Sequence, residues 1–149
     1  MSKDGTFNYH PIQLFDIEIL HLSFEKGGLE AESSVDDGDP DKGHFKFFHA
    51  HSNYNEEHKT FAVKVKATVD NSASEDEVPY TINVEILGGF RVDDESFPLE
   101  SIPSFAERNA PLVLYPYLRE QVFGLASRAG IEQPILPLFE VPPFQLERK

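Results

Sequence analysis

Histidines and carboxylates are the side chains here that could carry chemistry, and their spacing limits what that chemistry could be. His49 and His51 alternate along one stretch, with His44 before it and His58 after it. Imidazoles at i and i+2 of a strand share a face and can chelate zinc or nickel. No further pair of ligands follows at motif spacing, so the plain reading is histidines on a strand near a sheet edge. Asp37, Asp39 and Asp41 followed by Gly43 resemble a calcium loop. The glycine comes one place late and Phe48 stands where a bidentate Glu belongs, so a solvated acidic loop is the expectation. With 26 Asp and Glu in the chain, pairing any two as acid and base would be arbitrary. There is no phosphate-cradling glycine loop, no nucleophile elbow and no His-Glu-x-x-His helix. Cysteine is absent, which removes disulfides, thiolate metal sites and a cysteine nucleophile. The chain reads as no enzyme and calls for no cofactor or metal.

Aromatic residues are the louder signal. Phe90, Phe97, Phe105, Tyr115, Tyr117, Phe123, Phe139 and Phe144 crowd the second half. Part of them must be core. The rest are expected to line an open apolar groove, with Phe90, Phe97, Ile102, Phe105, Tyr115 and Phe139 as binding candidates. The net charge of −13 argues against nucleic acid and against an anionic membrane surface. Residues 1–100 hold 21 acidic against 8 basic side chains, whereas residues 101–149 hold five of each. The acidic excess therefore belongs to one part of the molecule and favours a basic partner there. No apolar run approaches the ~20 residues of a membrane span. Residues 1–10 lack the apolar stretch of a signal peptide, so the cytosol is the expected address. At 149 residues, one domain over 1–149 is expected.

The elements that must position these residues follow from periodicity. Phe61, Val63, Val65, Ala67 and Val69 alternate with polar neighbours, as do Tyr80, Ile82, Val84 and Ile86. Each is a half-buried antiparallel strand, joined by the polar turn at 70–77. Phe45–His51 is another strand, with its turn at 52–59. Gly88-Gly89 breaks the fourth strand's pattern, which resumes at Phe90 and Val92, marking a bulge or a close backbone approach. Over Ile12–Glu25 the apolar phase slips twice: Ile12 and Leu14, then Phe15, Ile17 and Ile19, then Leu20, Leu22 and Phe24. Either the strand carries bulges or parts of it are buried on both faces, against another chain. Residues 26–43 read as a mobile loop, and the proline-bearing stretch 96–111 as a crossing loop with at most one short helical turn. Leu114, Leu118, Val122, Leu125 and Ala129 then mark one face of a helix ending at Gly130, with Pro116 kinking it or lying near its start. A chain of this size would struggle to bury both that face and the first strand, so Ile17, Ile19, Leu114, Leu118, Val122 and Leu125 are oligomer-interface candidates. Pro134–Phe144 should be extended.

Asn109-Ala110-Pro111-Leu112-Val113-Leu114-Tyr115-Pro116-Tyr117-Leu118-Arg119-Glu120 resembles the signature that opens the long helix of the SecB family of export chaperones. Leu22-Ser23-Phe24-Glu25 is similar to the family's V-S-F-E, and Val84 to Phe90 to the end of its fourth strand. Pro134-Ile135-Leu136-Pro137-Leu138-Phe139 is similar to its proline segment. The resemblance covers roughly residues 10–144.

It implies an α+β fold, a four-stranded antiparallel sheet packed with a long C-terminal helix, assembled as a homo-tetramer, a dimer of dimers. It implies ATP-independent holding of unfolded or precursor polypeptides and their delivery to the SecA motor. Glu25, Glu75, Asp76 and Glu77 are then the docking candidates, although His21 stands where the family has another acid. The chain stops at Lys149, where the family usually continues into an acidic tail, so that contact is expected to be lost or altered. A SecB-like chaperone or adaptor dedicated to one partner, such as an antitoxin, is the alternative. A small-molecule site in the groove is a third reading, weakened by the lack of convergent catalytic groups.

Overall fold

The computed structural model describes residues 7–26, 44–71, 79–132, 134 and 136–140. Four strands, β1 (Ile12–Lys26), β2 (His44–His51), β3 (Thr60–Asn71) and β4 (Tyr80–Val92), form one antiparallel sheet in the order β1-β4-β3-β2. A 3-10 turn at Leu99–Ser101 leads into α1 (Ile102–Arg108) and α2 (Ala110–Ala129).

The period-two pattern places Phe61, Val63, Val65, Ala67 and Val69 of β3 beside Tyr80, Ile82, Val84, Ile86, Phe90 and Val92 of β4. All are buried on one face. The opposite face carries polar cross-strand pairs. Thr68 Oγ1 donates to Asn83 Oδ1 at 2.9 Å, Thr81 Oγ1 donates to Asp70 Oδ1 at 2.9 Å, and Lys64 lies 3.7 Å from Glu85. Helix α2 covers the apolar face through Leu114, Leu118, Val122 and Ala126, none of which retains any exposure. Gly88 allows that approach: a Cβ there would lie 2.6 Å from Leu114 Cδ2. A Cβ on Gly89 would meet Phe15 Cζ at 3.2 Å on the other face. The two glycines thus serve opposite sides of one strand, which runs through them unbroken.

The slips along β1 are bulges. Its register against β4 shifts between Leu14 and Asp16 and again between Ile19 and His21, leaving Phe15 and Leu20 as the extra residues. Each insertion restores the phase. Ile12, Leu14, Ile17, Ile19, Leu22 and Phe24 therefore all oppose helix-side positions of β4 (Val92, Phe90, Gly88, Ile86, Val84 and Ile82).

Two expectations are corrected. The stretch 96–111 is mostly helical, because Pro103 and Pro111 fall in the first turns of α1 and α2, where a proline has no intrahelical N–H bond to lose. Leu114, Leu118 and Val122 are used up inside their own chain, against the sheet, and so offer no face to a second copy; Leu125 is half-buried. Pro116 sits inside α2 on its exposed side, where the Leu112 carbonyl it leaves unbonded can be hydrated. The helix stops at Gly130, with φ 78°, as the Ile131 amide reaches back to the Ala126 carbonyl at 3.1 Å.

One clasp ties the β2–β3 turn to the loop after β4. Lys59 Nζ donates to both carboxylate oxygens of Asp94, at 2.9 and 3.1 Å, and Tyr54 Oη donates to Asp94 at 3.1 Å. The Lys59 bond holds the Asp94 carboxyl below its ordinary range, and Asp94 in turn raises the Lys59 ammonium.

Candidate functional site

The aromatic residues separate into two populations. On the central strand, Phe90 stacks on Phe61 with ring centres 5.1 Å apart and planes 6° from parallel. Phe105 meets both edge-on, and Phe97 meets Phe105 at 6.0 Å. Phe90 and Phe97 are 1% exposed, Ile102 2% and Phe105 7%. Phe97 and Ile102 are core residues rather than groove walls, and Phe90 and Phe105 contribute only a floor. The physical reason is sheet order: β4 has a strand on each side and helices above it.

That floor underlies an open groove of about 490 Å³ along the β1 side, walled by His10, Ile12, Leu14, Asn109, Leu112 and Val113. His10 closes one end, its ring 5.4 Å from Phe105, and its Nδ1 accepts a bond from the Ile12 amide at 2.9 Å. Asn109 Oδ1 is buried there with no hydrogen-bond partner among the described residues.

The second population lies at the other edge. Phe45 and Phe47 project from the helix side of β2 and are half-buried, because among the described residues β3 alone flanks them. Tyr115 of α2 meets Phe47 edge-on at 5.6 Å, and Phe139 meets Phe47 at 5.1 Å and Tyr115 at 4.9 Å. Tyr115 Oη donates to the Pro137 carbonyl at 2.5 Å, and burial pushes its phenol pKa up, partly offset by Arg119. Tyr115 is 5% and Phe139 37% exposed. The result is an aromatic trough between an edge strand and the long helix. Of its members, the sequence pointed to Tyr115 and Phe139 and missed Phe45 and Phe47. The strand Phe45–His51 was recognised, and the signal left unused was its alternation of aromatics on one face.

The histidines do not converge. His49 packs against Phe47, while His51 Nε2 lies 3.8 Å from Glu107. Among the described residues no three His, Asp or Glu side chains come close enough to hold a metal. Asp37, Asp39, Asp41 and Gly43 lie outside the described residues, as do Glu75, Asp76, Glu77 and Phe144.

Glu25 is exposed on the outer face of β1, away from the helices. That face is divided in charge. Asp16, Glu18 and Glu25 line β1, whereas Lys46, Lys64 and Lys66 share β2, β3 and β4 with Asp70, Glu85 and Arg91. Among the described residues this face is thus acidic along β1 and of mixed sign beyond it. Ile17 is half-buried and Ile19 49% exposed on the β1 edge, next to Leu20 at 46%.

Residues 8–140 match the SecB family, described as preprotein translocase subunit SecB. The chain belongs to the SecB family. The fold of this SecB-family chain is similar to that of the Mycobacterium tuberculosis SecB-like chaperone Rv1957, solved with a ChAD peptide from the Rv1956 HigA1 antitoxin. The TM-score is 0.63 at 20% identity, over 89% of this chain and 94% of that one. An uncharacterized protein of Methanocaldococcus jannaschii, MJ0357, is 32% identical over 89 residues, which are 60% of this chain and 56% of that relative. The match thus spans little more than half the relative's length. Among the described residues, no helix is long and apolar enough to cross a membrane.

Proposed function

We propose that this SecB-family chain is an ATP-independent holdase for unfolded or precursor polypeptides, and that its client site is the trough between β2 and α2. The observation that carries this reading is the half-open cluster of Phe45, Phe47, Tyr115 and Phe139 on an edge strand. Aromatic rings give apolar contact that any sequence with large side chains can use. The outer edge of β2, unpaired among the described residues, adds main-chain groups for an extended chain. A site of this kind selects for unfoldedness rather than for a motif.

The rest of the surface fits an assembled chaperone. The β1 edge, with Ile17, Ile19 and Leu20, is offered to a second copy. The outward residues of α2, Val113 and Tyr117, both more than a third exposed, join such pairs into a homo-tetramer, a dimer of dimers. In the cytosol it hands clients to a SecA-type motor that docks on the acidic margin at Glu25 and on the acidic residues 75–77.

The test is aggregation of a chemically denatured client followed by light scattering without nucleotide. The parent chain suppresses it, ATP changes nothing, and Phe47→Asp abolishes suppression while keeping the fold. No suppression by the folded parent overturns the reading. Calorimetry of Glu25→Lys against SecA then tests the hand-over: affinity falls several-fold, and salt weakens the parent's binding because exposed charges are screened beyond about 8 Å.

A second reading, a chaperone dedicated to one partner such as an antitoxin, is favoured by the antitoxin peptide bound to the structurally similar Rv1957. One stoichiometric protein co-purifying with the native chain, in place of many precursors, selects it.

A further inference from the structure

We propose that the trough is occupied in cis: the chain's own segment Leu136–Phe139 sits where a client segment binds, with Phe139 as a competing side chain rather than a wall of the site. The inference rests on the client-site reading above and adds its regulation and ligand chemistry.

The segment follows the end of α2 and returns over the sheet towards β2. Among the described residues, it is held by burial of Leu136, by the rings around Phe139 and by the single hydrogen bond from Tyr115 to the Pro137 carbonyl. Leu138 points away, 83% exposed. Leu136 and Phe139, three residues apart, are turned in while Pro137 and Leu138 are exposed, the three-residue repeat of a polyproline-type extended peptide. The cage of Phe45, Phe47 and Tyr115 belongs to β2 and α2, so it does not depend on the segment for its existence. Phe139 remains 37% exposed even when docked, so an incoming ring can reach the cage before Phe139 has left. The segment's own sequence, Pro-x-Leu-Pro-Leu-Phe with two prolines that keep it extended, describes the favoured ligand: an extended peptide bearing a large ring and leucine. Prolines also lower the entropy lost on docking, so the cis segment rebinds readily when a client leaves. Apparent client affinity is then reduced by the fraction of time the trough stands filled.

The chain contains no tryptophan, so Phe139→Trp supplies a single reporter. The probe is reduced, carboxymethylated ribonuclease A, a permanently unfolded chain without tryptophan, labelled for anisotropy. Binding is measured with the parent, Phe139→Ala and Phe139→Trp full chains. The expected result is about tenfold tighter binding by Phe139→Ala, about 1.4 kcal/mol, and a red shift of the introduced indole when the probe binds. A synthetic Pro134–Glu140 peptide is expected to compete for Phe139→Ala more strongly than for the parent. Parent binding with equal or weaker binding by Phe139→Ala, or no indole shift at saturation, overturns the cis-occupancy while leaving the client site standing. Absence of probe binding by every folded variant overturns the client-site reading, and the inference with it.

Discussion

Phe90 and Phe47 are the same side chain on the same face of one sheet, yet of the two only Phe47 keeps part of its surface exposed. Phe90 lies on β4, between two strands and under α1, stacked against Phe61 and 1% exposed. Phe47 lies on β2 with one neighbour strand, half covered by Tyr115 and Phe139. Sheet position, not residue type, decides whether a ring is sealed into the core or left partly open. A central strand supplies backbone partners and cover on both sides. An edge strand supplies one, and here Tyr115 and Phe139 complete the cover.

The largest effect expected from breaking this comparison is at Phe90. Phe90→Asp removes a buried ring, worth about 3–5 kcal/mol, and places an unpaired carboxylate in the core, which costs more. The total is of the order of a small domain's whole stability, so the variant is expected to be unfolded by circular dichroism. A folded Phe90→Asp that fails only in client binding would return Phe90 to the groove. Gly88→Val comes next. The new side chain meets Leu114 at 2.6 Å, and overpacking of this kind costs about 1–3 kcal/mol, seen as a lower midpoint in urea; an unchanged midpoint would show that α2 does not sit where described. Phe47→Asp should behave differently from both. Its ring is half covered, so the melting temperature is expected to fall modestly while client affinity drops more than tenfold. Equal losses of stability and binding would erase the distinction between the two populations.

The smallest effect concerns Tyr115. Burial raises its phenol pKa, so the neutral, donating form is favoured in the docked state. The contribution is complete below the ordinary tyrosine value of about 10 and is lost as pH rises through the raised one. The Leu136–Phe139 segment is therefore expected to stay docked across neutral pH and loosen only in strong alkali, read by the emission of Phe139→Trp. Release below pH 9 would mean that the Tyr115 hydroxyl does not hold Pro137.

Much of the fold was legible because alternation survives translation into structure. The helix face Leu114, Leu118 and Val122 was read correctly as apolar, and the two phase slips in β1 do mark its bulges. The partner of that helix face was not legible, since periodicity gives a direction without saying what lies there. The prolines of 96–111 read as loop because proline breaks helix interiors, while Pro103 and Pro111 stand in first turns and Pro98 precedes the 3-10 turn. The site was half legible for a related reason. Tyr115 and Phe139 belong to the trough, but without the order β1-β4-β3-β2 nothing ranked them above Phe90 or Phe97, or drew in Phe45 and Phe47.

The two bulges of β1 act as a reading frame for sidedness. Deleting Phe15 alone would join Leu14 to Asp16 and restore strict alternation, and deleting Leu20 would do the same at Ile19 and His21. Deleting Ile17 or Glu18 would keep the outer frame only by erasing a bulge, which puts Asp16 on the helix side or Ile19 on the solvent face. Length variation in this strand should therefore be tolerated at those two positions and punished between them. Each insertion is a pause in the frame, and the strand keeps its meaning because both pauses fall where the phase of the sequence changes.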